Sequence, residues 1–169
     1  MLRVGDRNTT PTDGGVISIP WRQRPGSLQL SVVAEGKTIG SEAIELQTGT
    51  EQVVVVEGSV KSPRIRVIAA DSAAPDAEMA TVRLLNLTTN AIEGATPLNL
   101  SAKPMAMSAV MKSTPQDVDF SDVIKSGAAV KALEKGAIYT LVVRGNKAEL
   151  QRDNPPMGME NVGAGPSGG

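Results

Sequence analysis

Short apolar runs, separated by glycine and proline, follow one another along the chain and predict strands rather than helices. A first strand is expected at residues 15–20. Pro25-Gly26 then marks a turn, and Leu28-Gln29-Leu30-Ser31-Val32-Val33 shows the partial alternation of a strand with one buried face. Glu35-Gly36-Lys37 supplies the next turn, and residues 38–46 lead to the strongest β signal, Val53-Val54-Val55-Val56, closed by Glu57-Gly58. Four consecutive β-branched residues suit a strand covered on both faces. Arg64-Ile65-Arg66-Val67-Ile68 alternates basic and apolar, as a half-exposed strand does.

Residues 71–78 carry no large apolar side chain before Met79, so residues 71–79 read as a linker. Strands are expected again at 80–88, around Leu98-Asn99-Leu100-Ser101, at 128–133, at 137–143 and at 147–151. Pro104 and Pro115 interrupt the stretch between, where residues 118–124 fit a strand or a short helix equally well. The polar start, residues 1–14, reads as a flexible lead-in, and the Gly-rich end, residues 153–169, as a disordered tail. This leaves an N-terminal β-domain at 15–70 and a C-terminal β-domain at 80–152. Residues 45–58 align without a gap with residues 132–145: a Leu, a turn Gly, an apolar tetrad and a closing Gly coincide, with Thr140 in place of Val53. That correspondence reads as a repeated hairpin. The expected fold class is therefore all-β, two small antiparallel β-sandwich-like domains related by an internal repeat.

Composition narrows the chemistry. The 169 residues are 40% hydrophobic, with 17 basic and 18 acidic side chains, so no strong field invites nucleic acid. His and Cys are both absent. Imidazole bases, thiol nucleophiles, disulfides and thiolate metal sites are thereby removed. No Ser-x-x-Lys pair or phosphate-binding glycine loop is present, and without His no Ser-His-Asp arrangement can form. Paired carboxylates could hydrolyse glycosides without His, but such clefts use aromatic platforms, and Trp21, Phe120 and Tyr139 are the only aromatics. The expectation is a protein that is not an enzyme and has no catalytic or cofactor-binding residues. No apolar run is long enough for a membrane helix, and the start lacks the apolar core of a signal peptide, which leaves a cytoplasmic chain and a mature exported one both open.

Three further groups of residues carry candidate chemistry. Asp117, Asp119 and Asp122, and separately Asp71, Asp76 and Glu78, could offer oxygens to a hard cation, yet neither set has the spacing of a calcium loop; solvated carboxylates or caps explain them as well. Met105 and Met107, followed by Met111, and further on Met157 and Met159 give two Met-x-Met pairs whose thioethers suit Cu(I), although methionine also fills irregular core gaps. Asn8, Asn86 and Asn99 stand in Asn-x-Ser/Thr triplets. Trp21 and Tyr139 are the aromatic surfaces a sugar could stack on, and Trp21 equally fits a plug at the end of the first sheet.

Ala77-Glu78-Met79-Ala80-Thr81-Val82-Arg83-Leu84-Leu85-Asn86-Leu87-Thr88, then Leu98-Asn99-Leu100, and later Leu133-Glu134-Lys135-Gly136-Ala137-Ile138-Tyr139-Thr140-Leu141-Val142-Val143, resemble the second half of AlgF proteins. The resemblance spans roughly residues 28–152. It implies two small β-domains and a non-catalytic periplasmic adaptor in O-acetylation of an exopolysaccharide, alginate-like or cellulose. Its implied partners are periplasmic and membrane acetyltransferase proteins and the polysaccharide itself, and it carries over no catalytic residue. Two other readings stay open beside it: a structural or adhesive β-sandwich module of a surface or secreted protein, and a Met-based Cu(I) binder.

Overall fold

The structure is a computed structural model, and it describes residues 1–4, 7–9, 25–123 and 131–153. Its secondary structure is almost wholly strand, as the apolar pattern predicts. Strands β1 (Leu2–Val4), β2 (Arg7–Thr9), β3 (Gly26–Ala34) and β4 (Lys37–Leu46) form a four-stranded antiparallel sheet in the order β2-β1-β3-β4. β5 (Glu51–Ser59) and β6 (Ser62–Ala70) make a long hairpin of their own. Beyond it come β7 (Ala80–Asn86), β8 (Ile92–Ala95) and β9 (Leu100–Ala102), then β10 (Ala106–Met107), β11 (Met111–Ser113) and β12 (Asp117–Val118). After a 3-10 turn at Ser121–Val123 the chain finishes with β13 (Lys131–Ala132), β14 (Ile138–Arg144) and β15 (Lys147–Arg152).

The hairpin β5–β6 is the middle layer, and the valine run explains why. Even-numbered Val54 and Val56, with Ile65 and Val67 across the ladder, pack against Leu28, Leu30, Val32, Ile39 and Ile44 of β3 and β4. Odd-numbered Val53 and Val55, with Ile68, pack the other way, onto Leu85 of β7 and Val142 of β14. Successive side chains of a strand point to opposite faces, so a continuous apolar tetrad is what a strand between two layers requires. On the far side of β7 and β14 lies the largest core, where Val82, Leu84, Tyr139, Leu141 and Val143 meet Leu100, Val118, Phe120 and Leu133.

In the third layer β7 is central and buried along its whole length. β14 lies parallel to it on one side, with Leu84 opposite Leu141, and β15 continues the sheet antiparallel. The expected purely antiparallel pairing is corrected here. A parallel pair needs a long crossover, and residues 87–137, with the small ladders β8–β9 and β12–β13, supply it. On the other side of β7, β10 and β11 pair in succession. Between them the ladder breaks, and Ser108 bridges the gap: its N–H donates to Leu84 O and its Oγ accepts from Leu84 N–H, both at 2.8 Å.

Several expectations change in the folded chain. The strand expected at 15–20 lies outside the described residues, as do Trp21, Met157 and Met159. The lead-in at 1–14 is not loose throughout, because the edge of β3 offers an unpaired row of backbone groups and β1 takes it, with β2 added outside. The repeated hairpin is not formed: β5 pairs with β6 and β4 with β3, so the stretch from 46 to 51 is a corner between layers. Gly49 and Gly136 do share a positive φ, 75° and 76°, so the likeness is one of local turn geometry, and an internal repeat is not shown. The ambiguous stretch 118–124 resolves into the end of β12 and one 3-10 turn, with Asp119 Oδ1 accepting from Ser121 N–H as its cap. Residues 71–79 contain no strand but are fastened: Asp76 Oδ1 accepts from the N–H groups of Glu78 and Met79, and Thr81 Oγ1 donates to Ala74 O.

Candidate functional site

On the hairpin-facing side of the third sheet, alternation along β7 places Arg83 beside Leu85, and along β14 it places Thr140 beside Val142. Arg83 is almost fully buried. Its guanidinium reaches Glu51 Oε1 on β5 at 2.6 Å and Asp153 Oδ2, just past β15, at 3.0 Å. Arg83 Nε donates to Thr140 Oγ1 at 3.2 Å, and that hydroxyl donates onward to Asp153 Oδ2 at 3.0 Å. Arg83 Nη1 also lies 3.4 Å from Asp71 O, and Glu51 Oε2 accepts from Ala73 N–H. One cation thus ties the middle layer, the segment after β6 and the C-terminal sheet together. Burial pushes the Asp153 carboxyl above the ordinary carboxylate range, against the pull of Arg83. Asp153 had been expected in a disordered tail; the N–H of Asp153 instead donates to Ile138 O, and its side chain closes the cluster. The lone charge in the strand Ala80–Asn86, and the Thr that interrupts an apolar tetrad, were the signals available in the sequence.

The second polar feature is an open groove of about 440 Å³ between β4 and β6, lined among others by Gly40, Glu42, Glu57, Arg64 and Arg66. Arg66 bonds Glu57 across the hairpin through Nη2 at 3.0 Å. Both sides of that pair are substantially exposed, and ion pairs of this kind contribute little to stability.

The methionines expected to share a face do not. Met107 lies opposite Leu85 and packs into the core between the layers, whereas Met111 lies opposite Val82 and is exposed. Positions Leu85 and Val82 are on opposite faces of β7, so the two thioethers point apart. Met105 is half-buried at a positive φ of 51°, which breaks the extended geometry a Met-x-Met pair needs to align its sulfurs. The acidic sets build no cation site: among the described residues no three His, Cys, Asp or Glu side chains converge as a metal would require, and the side chain of Asp122 lies outside them. Asp76 is engaged by Lys112 at 2.6 Å, and that ammonium, with the N–H of Glu78, holds its carboxyl below the usual range.

Asn86 and Tyr139 turn out to be core residues. Asn86 is fully buried; its Nδ2 lies within hydrogen-bond distance of Asn90 O (2.7 Å), Ala102 O (3.2 Å) and Lys103 O (3.1 Å), and its Oδ1 accepts from Thr88 N–H and Oγ1. Its triplet is thus inaccessible in the folded chain, while Asn99 is exposed in a turn at positive φ. Tyr139 is 2% exposed, with its hydroxyl accepting from Glu134 N–H, so its ring is closed to a sugar.

Fold and cluster define a layered all-β protein in which a grouped set of polar side chains holds the β5–β6 hairpin to the C-terminal sheet. No protein-family model matches the sequence, and no curated protein does.

Proposed function

We propose that this chain is a non-catalytic periplasmic adaptor in exopolysaccharide O-acetylation, holding acetyltransferase components together and near an alginate-like or cellulosic polymer. The setting comes from the resemblance of residues 28–152 to AlgF proteins. The observation that carries the adaptor reading is the Arg83 cluster: the guanidinium, carboxylates and hydroxyl bond one another and the backbone between the β5–β6 hairpin and the C-terminal sheet. A firm stack of this kind is suited to presenting a fixed surface, because a preordered partner loses less conformational entropy on binding. The groove between β4 and β6 offers such a surface, with the charges of Arg64, Arg66, Glu42 and Glu57 available for electrostatic matching.

The test is co-purification of the tagged chain with a membrane acyltransferase and a periplasmic esterase-like protein from an O-acetylation system of its source organism. Retention of either, weakened by Arg64→Glu in the groove, is the expected result. A folded chain that retains neither removes the adaptor reading and leaves the structural or adhesive module in its place.

A further inference from the structure

The Arg83 cluster has an uneven charge count. One guanidinium serves two carboxylates, Glu51 through Nη1 and Asp153 through Nη2, so the cluster carries a net charge of −1 when both are ionised. The side chains of Arg83 and Asp153 are only 9% and 13% exposed, and that of Glu51 is 30% exposed. Water can screen the surplus at Glu51 far better than at Asp153. The hydrogen bonds are also unevenly placed. Both donors to Asp153, Arg83 Nη2 and Thr140 Oγ1, meet the same oxygen, Oδ2. A proton on Oδ1 therefore leaves both of these hydrogen bonds and the Arg83–Glu51 pair in place and removes the repulsion between the two carboxylates, giving up the ionic attraction of Asp153 to Arg83 but sparing a buried charge.

We propose that the cluster is a latch tightened by a proton: uptake of one proton at Asp153 strengthens the hold of the β5–β6 hairpin on the C-terminal sheet, so the stack is firmer in acid than at neutral pH. The charged groups acting on Asp153 are Arg83 of β7, which opposes protonation, and Glu51 of β5, which favours it; Thr140 of β14 is neutral. Desolvation outweighs the pull of Arg83, which raises the carboxyl in the folded chain. A group raised in this way binds its proton more tightly folded than unfolded. Its contribution is fully present below the unfolded value and is lost as pH climbs through the folded one. This is opposite to the usual salt-bridged aspartate, which weakens a protein as acid is added. The latch does not depend on the adaptor reading.

The experiment follows the Asp153 carboxyl carbon by NMR through a pH titration of the whole chain, together with urea unfolding of wild type and Asp153→Asn over the same range. A midpoint above the ordinary 3.8 is expected, and it should fall in Glu51→Gln, where the competing carboxylate is gone. The unfolding constant of wild type relative to Asp153→Asn should drop as pH falls from neutral, by about tenfold for each unit of elevation. A midpoint below 3.8, or relative stability that falls with acid, overturns the latch. The wild-type titration decides the matter even if either variant fails to fold.

Discussion

Replacing Asn86 by alanine isolates what one buried amide contributes to this fold. Its side chain closes the end of β7 by linking the 88–90 turn to the strand end at 102–103. Two of its partners survive its loss: Asn90 O still accepts from Thr88 Oγ1, and Lys103 lies at the surface where water can reach. The deeper losses are at Ala102 O, in a buried residue, and at the Thr88 N–H. With a buried group left unsatisfied costing about 1–3 kcal/mol each, Asn86→Ala should destabilise the chain by about 2–4 kcal/mol. That is a large share of the roughly 5–15 kcal/mol typical of a whole domain. Asn86→Asp keeps the shape but replaces the donor with an anion facing carbonyl oxygens. It should be the worse variant at neutral pH and recover partly in acid, because burial and those oxygens raise the carboxyl. Urea unfolding followed by far-UV circular dichroism, at neutral and mildly acidic pH, measures both. An Asn86→Ala chain within about 0.5 kcal/mol of wild type, the range of an ordinary surface change, would refute the reasoning.

Arg83→Met removes the cation and leaves Glu51 and Asp153 facing each other; a loss of about 3–5 kcal/mol is expected in urea unfolding, well beyond that of Asp153→Asn. If the two variants are equally stable, the guanidinium is not the hub of the cluster. Gly58 sits at a φ of 92°, and a Cβ there would lie 2.5 Å from Ser62 O. Gly58→Ala should therefore cost about 1–3 kcal/mol, read as a lowered thermal midpoint, and an unchanged midpoint would deny strain at the hairpin end. Met107→Leu and Met111→Leu, singly or together, should leave any Cu(I) affinity unchanged in competition with a chromogenic chelator; reduced affinity would mean the thioethers converge.

Local pattern was most readable where a strand's neighbours impose a simple requirement. The valine tetrad announced a strand between two apolar layers because both of its faces had to be covered, and it lies between them. The alternation at 64–68 likewise matched β6, whose Ile65 and Val67 are turned inward while Arg64 and Arg66 stay exposed. The methionine reading failed because one positive φ at Met105 and one break in the ladder at Ser108 decide which way each sulfur points. Neither leaves a mark in hydropathy. Asp153 was missed for a related reason. In its own neighbourhood it is a polar residue at the edge of a Pro- and Gly-rich stretch, and its partner Arg83 stands far away in the chain.

What the sequence determined alone is the strand content, the turns at Gly36 and Gly136 and the absence of histidine and cysteine chemistry, because these follow from side-chain period, backbone allowance and composition. Which strands pair, that β14 runs parallel to β7, and that Arg83 shares its charge between Glu51 and Asp153 were decided by the tertiary structure. Pairing and burial depend on contacts between residues far apart in sequence. Their free energy appears only once the layers close and water is excluded between them.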